Sequence, residues 1–148
     1  MLGLAELRKW VYLLAMKENT IDSESDLFNE LMRRSLFRAK VCEKVAKINR
    51  KQNSSEYFLI GLFSLIDSLL RRPMNMILQK LPLTEEIAET ISGGTTEMTP
   101  YLQFSIALSK ADWKKVENYA KKLGLSEEQV MQIQMEADDW VTETFKHE

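Results

Sequence analysis

Residues 55–72 read SEYFLIGLFSLIDSLLRR and contain the most apolar run of the chain. Phe58, Leu62, Leu65, Ile66 and Leu69 recur at spacings of three and four. On a helix of 3.6 residues per turn they cover a wide arc, so this stretch is read as the central buried helix of a bundle, running to about Arg72. Asp67 is the one acid within its apolar part. Helical geometry turns it away from Leu62, Leu65 and Leu69 and brings it to Arg71, four residues on. Asn53, Ser54 and Ser55 form the polar break before this helix. Pro73, suited to the first turn of a new element, marks its end and opens a short helix from Met74 to Leu81.

Working outward, helix signals continue in both directions. Upstream, Asp22 or Ser23 caps a helix reaching about Arg50, with Glu24 and Asp26 in its first turn. Its apolar positions include Leu27, Leu31, Val41, Val45 and Ile48, while Arg33, Lys40, Lys44, Lys47 and Lys51 gather on another face. Arg34 and Arg38 fall close to the apolar stripe, so a kink or buried acidic partners are expected there. Ahead of it, Leu4, Leu7, Val11 and Leu14 draw one stripe of an N-terminal helix. Downstream, Thr84 caps a helix ended by Gly93-Gly94. Thr99-Pro100 starts another through about Lys110, Asp112 caps the next and Gly124 closes it. Ser126 with Gln129 has the form of a capping box for the last helix. The expected fold is all-α: one compact bundle of about seven to eight helices spanning residues 1–148.

Composition agrees. Only 5 Gly and 3 Pro occur in 148 residues, too few breaks for an all-β fold. Cys42 is the sole cysteine, which excludes an intrachain disulfide and fits a cytoplasmic protein. Arg8 and Lys9 interrupt the early apolar residues, so no secretion signal is read. No stretch reaches the roughly 18 apolar residues of a membrane span. Charge is uneven: residues 1–80 carry 14 Lys/Arg against 9 Asp/Glu, and residues 81–148 carry 6 against 13. The uneven charge is read as two solvated faces, with a docking surface on one or both ends as the alternative.

Chemistry is hard to assemble from these residues. The single histidine is His147, next to the last residue. No Ser-His-Asp arrangement and no histidine metal cluster can be built with it. Cys42 lies near the buried side of its helix, where a core cysteine is the natural reading. The Gly93-Gly94-Thr95-Thr96 turn lacks the spacing and the Lys-Ser/Thr of a phosphate loop. The basic stretch Met32–Lys40 is the one candidate nucleic-acid contact, although the chain as a whole is acidic, with pI ≈ 5.6. No catalytic, metal or cofactor residue is expected, and no cofactor.

From about Leu2 to Trp140 the chain resembles the HDOD domain, the HD-related output domain of bacterial signalling proteins, most of all the version that follows a cyclic-di-GMP phosphodiesterase-type EAL domain. The residues that carry the likeness are Leu2-Gly3 with Leu7-Arg8-Lys9-Trp10, Arg38 with Cys42-Glu43, and above all Phe58 to Glu86, with Gly61-Leu62, Ser64, Asp67, Leu69-Leu70, Pro73-Met74 and Leu81-Pro82-Leu83. Asp112-Trp113, Leu123-Gly124-Leu125, Ala137 and Trp140 complete the pattern. The resemblance implies a fold like that of the metal-dependent HD phosphohydrolases, which carry an adjacent His-Asp metal-binding pair on a central helix. The matching string here is Gly61-Leu62-Phe63-Ser64-Leu65-Ile66-Asp67, so Ser64 and Leu65 stand at the ligand positions, and leucine cannot ligate. The family's domain usually has several helices before the Leu-Gly motif, so an N-terminally truncated fragment, the C-terminal part of a longer domain, is expected.

The function this implies is a non-catalytic signal-transduction output module that contacts a protein partner or an adjoining EAL-like domain. The alternatives are a nucleic-acid-binding regulator and a degenerate metal-dependent phosphohydrolase. A homodimer is expected as well, with the apolar N-terminal helix around Trp10 at the contact. Nucleic acid and membrane are not expected as partners.

Overall fold

The computed structural model describes residues 26–65, 76 and 83–146. Among them are six helices and no strand: α1 (Asp26–Ile48), α2 (Ser54–Phe63), α3 (Glu85–Ile91), α4 (Thr99–Ser109), α5 (Trp113–Leu123) and α6 (Glu127–Lys146). The all-α class read from the sequence is the class observed. The helices expected at 4–14 and 74–81 fall outside the described residues, Met76 excepted, as do Trp10, Asp67, Leu69 and His147.

Helix starts follow the expected caps. The Thr84 hydroxyl accepts from the Ile87 amide at 3.3 Å and the Asp112 carboxylate from the Lys115 amide at 3.4 Å. Ser126 and Gln129 exchange the two bonds of a capping box, at 3.1 and 2.9 Å. Four helix ends use one device, an amide reaching back five residues over a left-handed residue. The bonds run from Lys51 to Ala46, Gly94 to Glu89, Asp112 to Ala107 and Leu125 to Ala120, at 2.8–3.0 Å. The left-handed positions are Arg50, Gly93, Ala111 and Gly124, so two of the four are not glycine.

One expectation about the centre is corrected. The helix read as running from 55 to Arg72 stops at Phe63, and Ser64 and Leu65 form a turn. The Ser64 hydroxyl donates to the Gly61 carbonyl at 2.7 Å and its amide bonds the same carbonyl at 3.3 Å, which replaces the helical ladder with a tight local turn. The described part of this helix is buried as expected: Tyr57, Phe58, Ile60, Gly61, Leu62 and Phe63 are all buried, and α2 packs against α1, α3 and α4. It shares the centre with α1, which packs against α2, α4 and α6. With 23 residues α1 is long enough to be crossed three times, and Met32, Leu36, Ala39, Val41, Cys42, Val45 and Ala46 are all buried along it. Leu27 and Ile48, placed on the apolar stripe by spacing, stand near its ends and are 51% and 40% exposed.

The α1–α2 crossing is close because of one residue. A Cβ built on Gly61 would lie 2.5 Å from the Arg38 carbonyl oxygen and 2.6 Å from the Ala39 Cα. Only glycine lets the two backbones meet there. Tyr57 and Phe58 then reach across the core to Tyr101 on α4 and Trp140 on α6, with edge-on ring centroids 4.7 and 6.1 Å apart.

Candidate functional site

Ser64, matched by the resemblance to the first residue of the His-Asp pair, sits beside a buried cation. Arg38 on α1 is 3% exposed. Its Nε donates to the Ser109 hydroxyl at 3.0 Å and its Nη1 to the Ser64 hydroxyl at 3.3 Å. Each serine passes its own proton to the preceding turn, Ser64 to Gly61 and Ser109 to the Ile106 carbonyl at 2.8 Å. Both serines stand at helix C-termini, where unsatisfied carbonyls favour a positive charge. The guanidinium thus ties the ends of α2 and α4 to α1.

The buried acidic partner expected at Arg38 is not found among the described residues, where its bonds go to hydroxyls. Arg34 is turned outward and pairs with Glu30 at 3.3 Å, and α1 runs as one helix across both arginines. Burial, and then the like charge of Arg34, pull the Arg38 pKa down to about 10, which leaves it charged at neutral pH.

The cluster does not suit a divalent ion. It offers a hydroxyl whose proton is committed, a leucine at position 65, and a fixed positive charge that repels a metal. Among the described residues no group of three or more His, Cys, Asp and Glu is arranged to hold one.

The other candidates are placed as follows. Cys42 is fully buried with Sγ 3.6 Å from the Tyr101 carbonyl oxygen, and burial pushes its thiol up to about 12. It is a core residue, as read from the sequence. In the Gly93–Thr96 turn, the Thr99 hydroxyl accepts from the Thr96 amide and donates to the Gly94 carbonyl, at 2.8 and 3.1 Å, so the turn is closed by its own threonines. The basic stretch 32–40 is split: Arg33 and Arg34 are exposed, while Met32, Ser35, Leu36, Phe37, Arg38 and Ala39 are buried. Of the further lysines read as one face, Lys40 pairs with Glu43, Lys44 with Glu136 and Lys51 with Glu97.

Sequence reasoning did not single out a groove of about 580 Å3 between α5 and α6, lined among others by Trp113, Val116, Ala120, Leu125 and Met131. The signal was present in Trp113 directly after a helix cap and in the i, i+4 pair Met131 and Met135. A second cavity, of about 380 Å3, adjoins Ser109 and is lined by Arg33 and Arg34 together with Glu30 and Asp138. Its two signs offset each other.

With this geometry the chain can be set against known proteins. Nearly its whole length is similar to part of a cyclic di-GMP phosphodiesterase. That relative, Cyclic di-GMP phosphodiesterase CdgJ of Vibrio cholerae, is 30% identical over 140 residues, 94% of this chain and 32% of the relative. Uncharacterized protein YuxH of Bacillus subtilis is 31% identical over 140 residues, 95% of this chain and 34% of that protein. The chain therefore spans about a third of the length of the curated relatives it matches. No family model matches it, and no solved structure does. Among the described residues no helix is long and apolar enough to cross a membrane.

Proposed function

We propose that the chain is a non-catalytic output module of a cyclic-di-GMP signalling protein, of the HDOD type, which passes a signal by contact with an adjoining EAL-like domain or a separate protein. The observation that carries this reading is the Arg38–Ser64–Ser109 cluster. Where a related phosphohydrolase would need two metal ligands, this chain has a hydroxyl and a leucine, and a guanidinium bonded to that hydroxyl. Arg38 donates only and stays protonated, so it supplies neither a ligand nor a general base. The likeness to a cyclic di-GMP phosphodiesterase over a third of its length supports the signalling context. Hydrolysis by that longer protein is compatible with a chain that contributes regulation rather than chemistry.

Elemental analysis after dialysis, with a cyclic di-GMP hydrolysis assay on the same sample, tests the proposal. The expected result is no stoichiometric divalent metal and turnover at background. About one Mn, Fe, Ni or Zn per chain, with hydrolysis lost on chelation, would overturn it.

A further inference from the structure

We infer that the outward face of α5 docks an acidic helix of a partner protein. Residues 81–148 hold 13 Asp/Glu and only 6 Lys/Arg, and five of those six stand together: Lys110, Lys114, Lys115, Lys121 and Lys122. All five are exposed. Helical geometry gathers four of them on one side of α5. Val116, Ala120 and Leu123 are buried on the inner side, and at 3.6 residues per turn Lys114, Lys115, Asn118, Lys121 and Lys122 fall opposite, within an arc of about 120°.

The fold leaves this charge largely unspent. Glu117, at the edge of the arc, approaches Lys121 at 3.6 Å, and Asp112 approaches Lys115 at 4.0 Å. Both pairs are local and solvent-exposed, and such pairs hold their partners weakly. Lys122 lies 5.1 Å over the Tyr119 ring. Among the described residues no acid pairs with Lys110, Lys114 or Lys122. Lys44 and Lys51 are treated differently, each held by an acid from a distant part of the chain, Glu136 and Glu97. A cluster of like charges without such partners is complementary to an anionic one.

Spacing selects among anionic partners. Lys114 with Lys121, and Lys115 with Lys122, form two rows whose members stand seven residues, about 10.5 Å, apart along the axis. Helices lying side by side present the same faces to each other every seven residues, so carboxylates at that spacing meet both lysines of a row. A cleft of about 590 Å3, lined by Lys114, Lys115, Glu117, Asn118 and Lys121, offers the seat. A nucleic-acid duplex or a lipid surface is wider than one helix and would also meet Glu127, which lines the groove on the other flank of α5, and the exposed Glu128 beside it. The arc itself carries no aromatic ring to stack on a base and no apolar side chain to enter a bilayer. The inference rests on the reading of the chain as an interaction module and gives that module's partner its chemistry. Its assay reads binding, so it fails separately from the metal and hydrolysis assays.

The probe is a fluorescent alanine-based peptide of about three heptads, with a pair of glutamates repeated every seven residues, and a control peptide with glutamine in their place. Anisotropy titrations with the full chain at about 0.1 M salt are expected to show saturable binding of the glutamate peptide and none of the control. Lys114→Gln with Lys121→Gln should weaken binding about tenfold at an unchanged melting temperature. Arg34→Gln with Lys47→Gln removes the same charge from α1 and should leave binding as it was. Short duplex DNA and phosphatidylserine vesicles should bind no better than the control peptide. Absence of binding, equal binding of the two peptides, or an equal loss in the α1 double variant would overturn the inference. So would tighter binding of the DNA or the vesicles, which would give this face to another class of partner.

Discussion

Gly61→Ala tests the packing on which the whole arrangement depends, because two effects of opposite sign meet there. Alanine is about 1 kcal/mol better than glycine inside a helix, so propensity alone predicts a gain. Against it, the new Cβ would lie 2.5 Å from the Arg38 oxygen and 2.6 Å from both the Ala39 nitrogen and Cα. All three are backbone atoms of α1, so no side-chain rotation relieves the overlap. Ordinary contact of such atoms is near 3.5 Å, and α1 and α2 must separate by roughly 1 Å. A gap of that size forfeits up to about half of the dispersion attraction along the seam. Overpacking of this kind costs about 1–3 kcal/mol, and a clash with fixed backbone belongs at the upper end. Subtracting the propensity gain leaves a net loss of about 2 kcal/mol. For a chain of this size that is a melting temperature lower by about 4–8 °C. Thermal unfolding followed by circular dichroism reads the shift directly. Gly124→Ala is the control: nothing lies within 4 Å of its Cβ, so it loses only to its left-handed φ of 74°. An equal or higher melting temperature for Gly61→Ala would show that the α1–α2 crossing is looser than described and that Arg38 is not held by it.

Arg38→Met keeps most of the side chain's volume and removes the buried charge; Ser64 and Ser109 keep their bonds to Gly61 and Ile106. The lost donor bonds and the relieved desolvation oppose each other, so stability should change by less than about 1.5 kcal/mol, while Arg38→Ala, which opens a cavity, should cost about 2 kcal/mol or more in urea unfolding. Ala111→Gly should raise the melting temperature slightly: releasing a left-handed alanine regains about 1–2 kcal/mol, and the looser unfolded chain takes back about 0.4–1 kcal/mol. Cys42, with its thiol pushed up to about 12, should resist thiol reagents in the native state at pH 8 and react only on unfolding. Because its acid form is favoured by folding, its contribution to stability is full below the unfolded value of 9.0 and declines as pH rises towards about 12. A Cys42→Ala variant should lose that part of the alkaline decline in a melting series.

The parts of this fold legible in the sequence are those with local causes. Thr84, Asp112, Gly93, Gly124 and the Ser126–Gln129 box all cap by contacts within a few residues, so composition and spacing were enough to find them. The end of the central helix was not legible. Periodicity continues past Phe63, but the Ser64 hydroxyl and amide both turn back to the Gly61 carbonyl. Nor was the split within residues 32–40. Arg33 and Arg34 are exposed, yet Gly61 brings α2 down onto Arg38 and Ala39, which are buried. The partners of Arg38 come from 26 and 71 residues away, and nothing at those separations marks a serine as an acceptor.

What the interior does with its polar groups bears on where function lies. Arg38 is spent on two helix ends, and Cys42 on the Tyr101 carbonyl. Asn49 holds the Tyr101 hydroxyl at 3.1 Å and the Leu123 carbonyl at 3.2 Å. Among the described residues, Ser35 Oγ is the single buried side-chain N or O atom without a hydrogen-bond partner. The polar groups at the core are therefore occupied in joining helices. The groups left without a matching neighbour face outward instead, in Trp113, Met131 and Met135 between a basic and an acidic helix.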